Sequence, residues 1–492
     1  MASSYGRMGV QIVTTFLLTP FLLHRLGAEA FGLWALTLAI ASYFGIADSI
    51  TMGAVRYVSH YRALKDWEGL NNTIGAASRI YFALTVIALI ICGVVAALAP
   101  HLFLVSPNNL FVLRLLILNM GLISAIGFAS VLPIQCVIAS QRQDALNLQM
   151  LIVQILVAVI SAVGVSLGCN VLLLGVLQLL SSLLSGLIGY RLAKIYLPEA
   201  KFTLHWSAEH GKKLGSYAGL AVFVALGGRI IYYADTLVIG AFISVAAIAG
   251  YAVVLKLVEL LRSLVNTGAA AVGTFASEQH ALNQHDSLRK IWYEGTKWSL
   301  VITVPVGGII ILLRETIISH WVGAQYLWIA PALVWLMIGH IFDLTQSAAF
   351  VTLLNTGRLK FLLWVISLEA ICNLSLSIWL GRKIGITGVA IGTTLPLIFR
   401  CVFAYPIYMS RLVGASPLDY LRSSVFPALC AVGPLCVVLI CFALFHVPVN
   451  PITVIALLSL VALLFVQGVF RNCLSSSQQT HLVQRLRSKL SL

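Results

Sequence analysis

The chain has 492 residues, of which 60% are hydrophobic and only 10% are charged, and its mean hydropathy is +0.99. Soluble domains carry about 25% charged residues, so this composition excludes a soluble enzyme, a secreted disulfide module and a disordered chain. The net charge of +15 does not indicate a nucleic-acid partner, because the basic residues lie in short loops between apolar stretches, as orientation signals do.

Apolar stretches recur along the whole chain, each with the length of about 20 residues that a helix needs to cross a bilayer. They predict an all-α integral membrane protein with about fourteen transmembrane helices. The predicted spans are 5–24, 31–55, 77–100, 111–138, 148–167, 171–190, 214–241, 247–273, 293–313, 329–352, 361–380, 386–409, 423–445 and 451–470.

The loops between these spans predict the orientation of the chain. If the N-terminus is inside, most loop lysines and arginines fall on the inner side, and the outer loops hold only Arg25, Arg314, Arg382 and Lys383. Positive charge marks the cytoplasmic side of membrane proteins. We therefore expect both termini to be cytoplasmic.

An internal repeat predicts the domain organisation. Gly32 matches Gly250, Gln141-Arg142 matches Gly357-Arg358, and Gly175 matches Gly392, at nearly equal offsets of six spans. An even number of spans preserves topology, so the two halves form a parallel repeat. The predicted parts are a six-helix bundle at 1–190, a cytoplasmic linker at 191–213, a second six-helix bundle at 214–409, extra helices at 410–470 and a basic cytoplasmic tail at 471–492.

Familiar catalytic and cofactor motifs are missing from the sequence. It has no P-loop, no HExxH motif and no paired cysteine and histidine spacing, and its nine cysteines lack metal-site spacing. We expect no catalytic residue, no metal and no cofactor.

Charged residues inside the spans are the candidate functional residues. A charge at the centre of a membrane helix costs about 2.5–3.5 kcal/mol, so such residues face a wet cavity or pair inside a bundle. Arg229 lies in span 7, and Lys256 and Arg262 lie in span 8, whereas Arg56 directly follows span 2 on the inner side. Arg229 and Lys256 are predicted to lie at neighbouring depths, and cations buried near the midplane suit an anionic substrate such as a diphosphate. These four residues are predicted to form a cationic substrate cavity.

Other intramembrane charges are candidates for ion coupling or for structural pairing. Asp343 and Glu369 are close enough in depth to Arg400 to pair with it between packed helices. The coupling or structural candidates are Asp48, Asp235, Glu259, Asp343 and Arg400.

Four stretches carry a resemblance to a known family. They are 18–20 (LTP) with 25–34 (RLGAEAFGLW), Asp48 with 53–59 (GAVRYVS), 141–143 (QRQ) with Asn147, and 234–240 (ADTLVIG). The chain resembles polysaccharide flippases of the O-antigen and exopolysaccharide type, which belong to the multidrug/oligosaccharidyl-lipid/polysaccharide exporter superfamily.

The resemblance implies a MATE-like transporter of the bacterial inner membrane, not an enzyme, that serves lipopolysaccharide or related polysaccharide biosynthesis. It implies alternating-access flipping of an undecaprenyl-diphosphate-linked oligosaccharide from the inner to the outer leaflet. The family's cavity is cationic and lined by spans 1, 2, 7 and 8, which agrees with the four cations. The implied partners are the lipid-linked oligosaccharide, membrane lipid and the polysaccharide polymerase machinery.

Three other functions stay open at this point. A drug/cation antiporter of the same superfamily usually needs an acid in span 1, and this span has none. A flippase for a lipid-linked peptidoglycan precursor is a near neighbour of the main interpretation. A membrane glycosyl polymerase or ligase would need an outward catalytic site, for which the longest outer loop offers only Arg314 and Glu315.

Overall fold

A computed structural model describes residues 2–281, 285–444 and 451–473 of the chain. In these ranges the regular structure is helical and contains no strand, which confirms the predicted all-α class. Residues 474–492 of the predicted basic tail lie outside the described residues.

Eighteen α-helices make up the described part of the chain, joined in places by single 3-10 or π turns. In chain order they are α1 (Ala2–Leu26), α2 (Ala28–Ser42), α3 (Asp48–Ala63), α4 (Trp67–Leu102), α5 (Pro107–Ala139), α6 (Gln143–Ser166), α7 (Leu172–Tyr196), α8 (Ala208–Phe242), α9 (Val245–Ala281), α10 (His285–Leu312), α11 (Arg314–Trp321), α12 (Ala330–Thr345), α13 (Ser347–Asn355), α14 (Leu359–Phe399), α15 (Tyr405–Val413), α16 (Pro417–Tyr420), α17 (Phe426–Leu444) and α18 (Pro451–Asn472).

Eleven segments of the described chain are long and apolar enough to cross a membrane. One of them, Leu359–Val413, holds two predicted spans, because the non-helical residues Ile384 and Gly385 divide it. Gly385 has a φ of +65°, a backbone conformation that side chains disfavour. Helices α9 and α18 match the two further predicted spans, so the expected number of about fourteen agrees with the helices observed.

The second predicted span is not one continuous helix, so its expected extent over 31–55 was wrong in detail. The chain forms α2, then a 3-10 turn at Tyr43–Ala47, then α3. The interruption contains Gly45, whose lack of a side chain lowers helix propensity and allows close approach of another group. Hydropathy could not reveal this break, because the residues of the turn are as apolar as those of a continuous span.

By packing, the chain divides into two compact units. Unit 1 contains residues 1–256 and 366–392, and unit 2 contains 257–365 and 393–492. Division by packing is a different property from an internal sequence repeat, so the two six-helix bundles stay a prediction.

In unit 1, α5 packs along α4 and α7, and α8 packs against α2 and α3. One apolar core joins α3, α4, α5 and α7; it includes Leu70, Ile74, Tyr81, Phe128 and Cys136. The non-helical segment 197–207 between α7 and α8 is held to α4, because Asn71 donates to the Glu199 carbonyl and accepts from the Lys201 amide.

In unit 2, α10 packs against α12, α13 and α17, and α17 packs against α18. The Trp292 and Tyr420 rings are stacked with centroids 4.2 Å apart. Gln346 bridges them, since it accepts from the Trp292 indole at 3.4 Å and donates to the Tyr420 hydroxyl at 2.7 Å.

Candidate functional site

Arg229, one of the four predicted cations, contacts the backbone of the second predicted span. It lies on α8, is half-buried, and donates from Nη2 to the Gly45 carbonyl over 3.4 Å. Gly45 belongs to the 3-10 turn between α2 and α3, where the regular α-helical hydrogen-bond ladder is interrupted. The break in the second span therefore presents a backbone carbonyl to an arginine inside the apolar region.

Gly45 leaves the space that this arginine occupies. A Cβ atom added to Gly45 would lie 2.5 Å from Nη2 of Arg229, closer than side-chain contacts allow. The sequence singled out Arg229 by its charge, but it gave no sign that Gly45 was its neighbour.

Asp235 lies on α8 six residues after Arg229 and is buried. It accepts a hydrogen bond from the hydroxyl of Tyr251 on α9, which is also buried. The apolar part of α8 thus carries a basic side chain, Arg229, and an acidic side chain, Asp235. The acid is hydrogen-bonded to α9.

The other predicted cations are distributed over several helices. Arg56 is exposed on α3, Lys256 is half-buried on α9, and both belong to unit 1. Because α3 packs against α8, Arg56 and Arg229 lie on neighbouring helices. Arg262 is half-buried on α9 in unit 2. A common cavity for all four stays a prediction.

Sequence reasoning missed a polar face on the first half of α14. Glu369, Asn373 and Ser377 are buried there at successive spacings of four residues, which places them on one face of the helix. Ser377 donates to the Val389 carbonyl over 3.2 Å. The spacing was visible in the sequence, but the prediction considered only charged residues.

This polar face lies alongside α8. A Cβ atom added to Gly227 on α8 would lie 2.5 Å from Ile366 on α14. A Cβ atom added to Gly381 on α14 would lie 4.0 Å from Val238 on α8, so α8 and α14 run side by side between these two contacts. Asp235 on α8 lies between the two contact points.

Unit 2 contains a buried ion pair between α12 and a π turn. Arg400 begins the π turn at Arg400–Ala404, and its guanidinium donates to the carboxylate of Asp343. The expected pairing of Asp343 with Arg400 is thus confirmed. His340, one turn before Asp343, is buried, and its Nδ1 lies 2.9 Å from the Leu336 carbonyl.

The two remaining coupling candidates have less defined surroundings. Glu259 is exposed on α9. Asp48 begins α3, and its side chain lies outside the described positions.

The longest predicted outer loop holds a pair of charges that bind each other. Arg314 donates to Glu315 over 3.0 Å and also to the Ile311 carbonyl over 3.1 Å, at the start of α11. An acid engaged by its neighbour in this way gives no support to a catalytic role for Glu315.

Comparisons with known proteins place the chain among membrane proteins. A family model described as "Polysaccharide biosynthesis protein" matches residues 22–331. The chain is 25% identical over 380 residues to an uncharacterized membrane protein, MJ1068, of Methanocaldococcus jannaschii, covering 74% of this chain and 73% of that protein. It is 22% identical over 440 residues to the membrane protein EpsK of Bacillus subtilis, covering 84% and 83%.

Two solved structures show the fold. An inward-facing multidrug resistance MATE family transporter matches with a TM-score of 0.69 at 13% identity, covering 82% of this chain and 94% of that chain. The lipid II flippase MurJ in an inward closed conformation matches with a TM-score of 0.68 at 16% identity, covering 93% and 97%. With its apolar helices, the chain is a multi-pass membrane protein, and the expected MATE-like fold is confirmed.

Proposed function

The chain belongs to the polysaccharide biosynthesis protein family, and from this premise we propose that it is a flippase for a lipid-linked oligosaccharide. It moves an undecaprenyl-diphosphate-linked repeat unit from the inner to the outer leaflet of the bacterial cytoplasmic membrane by alternating access. Both termini lie in the cytoplasm. The protein acts as a transporter and not as an enzyme.

The half-buried arginine Arg229 on α8 carries this proposal. A guanidinium stays protonated in proteins, and an isolated charge in an apolar region is unfavourable. Arg229 donates to the Gly45 carbonyl over 3.4 Å, and the planar fork of a guanidinium also matches the oxygens of a phosphate group. An anionic substrate group has the charge and the acceptor oxygens that a guanidinium binds.

The chemistry of a diphosphate suits this arrangement. A diphosphate cannot cross hydrocarbon alone, so the protein must provide cations along the path. The planar fork of arginine binds phosphate oxygens through two parallel hydrogen bonds, and Lys256 adds a second cation in the same unit. The sequence-based proposal extends this cationic cavity to Arg56 and Arg262. The sugars occupy the wet part of the path.

The buried acids take structural or coupling roles in this proposal. We assign Asp343 to the structure, because it already pairs with Arg400. Asp235 is the strongest coupling candidate, because it is buried on the same helix as Arg229. Asp48 and Glu259 remain secondary candidates.

A cell-based experiment tests the role of the cations. In a strain that depends on this protein for surface polysaccharide, Arg229→Ala and Lys256→Ala should each abolish the polymer, while immunoblots show normal amounts in the membrane. The matched control is Arg358→Ala, an exposed arginine before α14, which should retain normal polymer. Normal polymer from the Arg229→Ala/Lys256→Ala double variant would refute the proposal.

A further inference from the structure

Unit 1 contains an apolar cavity of about 720 Å³ that the four predicted cations do not explain. Its walls come from α2 and the 3-10 turn that follows it, from α4 and the residue that follows it, and from α5 and α8. The lining residues are Ile40, Tyr43, Phe44, Leu84, Ile87, Ile91, Val95, Leu102, Phe103, Phe128, Val222, Leu226, Leu237 and Ala241.

The chemistry of these walls excludes a sugar or a polar ligand. Tyr43 supplies the one polar side chain among the lining residues, and all the others are hydrocarbon. A cavity without polar partners does not hold ordered water well, so an apolar occupant is favoured. A volume of about 720 Å³ lies in the range of pockets that hold organic ligands, so a segment of a hydrocarbon chain fits.

The lining residues of the cavity extend along one helix, and we call the cavity the groove. Its wall on α4 runs from Leu84 to Leu102, about 27 Å at 1.5 Å for each residue. Among the wall residues, Ile91 is 43% exposed and Ile87 is 49% exposed, so the groove reaches the apolar surface of the protein. At one end, Leu104 donates to the Gly240 carbonyl over 2.8 Å and fixes the end of α4 on α8.

Two observations place the groove next to Arg229. Tyr43 lines the groove, and Gly45, two residues later, accepts from Arg229, so the guanidinium is within about 12 Å of the groove wall. On α8, Leu226 lines the groove and precedes Arg229 by three residues, which makes the two side chains neighbours on the helix surface.

We propose that this groove binds the part of the prenyl chain nearest the diphosphate while Arg229 binds the diphosphate itself. The inference rests on the proposed function and changes one part of it, since the prenyl chain then does not stay wholly in lipid. A cation beside an apolar groove matches a ligand with an anionic head and a long hydrocarbon chain. The groove opens onto the apolar surface, so a longer chain would extend past it into the bilayer.

Photo-crosslinking tests this binding site. The full chain is placed in nanodiscs of phosphatidylethanolamine and phosphatidylglycerol, with a prenyl diphosphate that carries a diazirine on its third isoprene unit. We expect the label on peptides that contain the groove walls of α4 and α8. An excess of unlabelled prenyl diphosphate should prevent labelling by competition, whereas added phosphatidylglycerol should not.

A matched pair of substitutions on α4 gives the control. Val95→Trp places an indole in the groove and should lower labelling about tenfold, because the indole occupies space that the prenyl chain would fill. Val94→Trp adds the same side chain to a position that is 51% exposed and outside the groove, and it should leave labelling unchanged.

Three results would overturn the inference. They are a label outside the groove, equal loss of label in both variants, and equal displacement by phosphatidylglycerol, which would make the occupant ordinary membrane lipid. Labelling measures binding and not translocation. Groove labelling without flipping would therefore contradict only the proposed function, and flipping with the label elsewhere would contradict only the groove.

Discussion

Arg229 and Gly45 show how a single close approach can define a site. The arginine reaches a backbone carbonyl in the break of the second span only because residue 45 has no side chain. A charged group on α8 is thereby held at a fixed position beside α2 and α3. The sequence indicated Arg229 as a candidate because a charged residue is unusual so deep in an apolar span. Its contact with Gly45, 184 positions away, arises from tertiary packing and could not be predicted.

Gly45→Ala should impair transport without removing any charge. The added Cβ would lie 2.5 Å from Nη2, so the guanidinium must move away from its position. We expect about a tenfold loss of flipping rate, in line with the effect of small displacements on positioned groups. The measurement is the rate of flipping by purified protein in liposomes.

Gly93→Ala is the control for this change. Gly93 lies on α4 with no atom within 4 Å of an added Cβ, so the variant should flip at the normal rate. An unimpaired Gly45→Ala variant would mean that the Arg229 position does not matter for transport.

At the scale of helices, hydropathy predicted that the spans exist, but it did not predict the turns that interrupt them. All fourteen predicted spans have a helical counterpart, because a stretch of about 20 apolar residues has few other stable forms in a bilayer. The 3-10 turn at Tyr43–Ala47 and the π turn at Arg400–Ala404 were not predicted. Both depend on packing with other helices, and neither contains a proline that would have marked it.

The ion pair between α12 and the π turn should stabilise unit 2. Asp343→Asn removes the carboxylate that pairs with the buried Arg400 guanidinium, and breaking a buried ion pair costs about 3–5 kcal/mol. We expect a lower melting temperature for Asp343→Asn and for Arg400→Met. The double variant should regain part of the loss, because the two effects are coupled.

Thermal unfolding in detergent measures this coupling. Normal melting temperatures for both single variants, combined with loss of flipping, would show that the pair serves ion coupling. The assignment of Asp343 to the structure would then be wrong.

For the whole molecule, the charge distribution predicts the orientation that flipping requires. The resemblance of the fold to MATE and MurJ structures extends over most of the chain, and the loop charges predict cytoplasmic termini. The apolar groove of unit 1 could not be predicted from sequence, since α8 forms its wall together with α2, α4 and α5 from a distant part of the chain.

Reporter fusions at the C-terminus test the orientation. A fused green fluorescent protein should be fluorescent, and a fused alkaline phosphatase should be inactive, because the phosphatase folds only outside the cytoplasm. A fusion of phosphatase to the predicted outer loop at Arg382 should be active as the matched control. The reverse pattern would contradict cytoplasmic termini.

The central claim is that cations within the membrane-spanning helices carry a lipid-linked diphosphate across the membrane, and a reconstituted flipping assay tests it most directly. Purified protein in liposomes receives an undecaprenyl-diphosphate-linked oligosaccharide on one side, and lectin binding on the other side reports arrival. The wild-type chain and Arg358→Ala should flip the lipid, Arg229→Lys should flip it slowly, and Arg229→Ala/Lys256→Ala should flip it no faster than protein-free liposomes. Flipping at the normal rate by a folded Arg229→Ala/Lys256→Ala variant would contradict the claim.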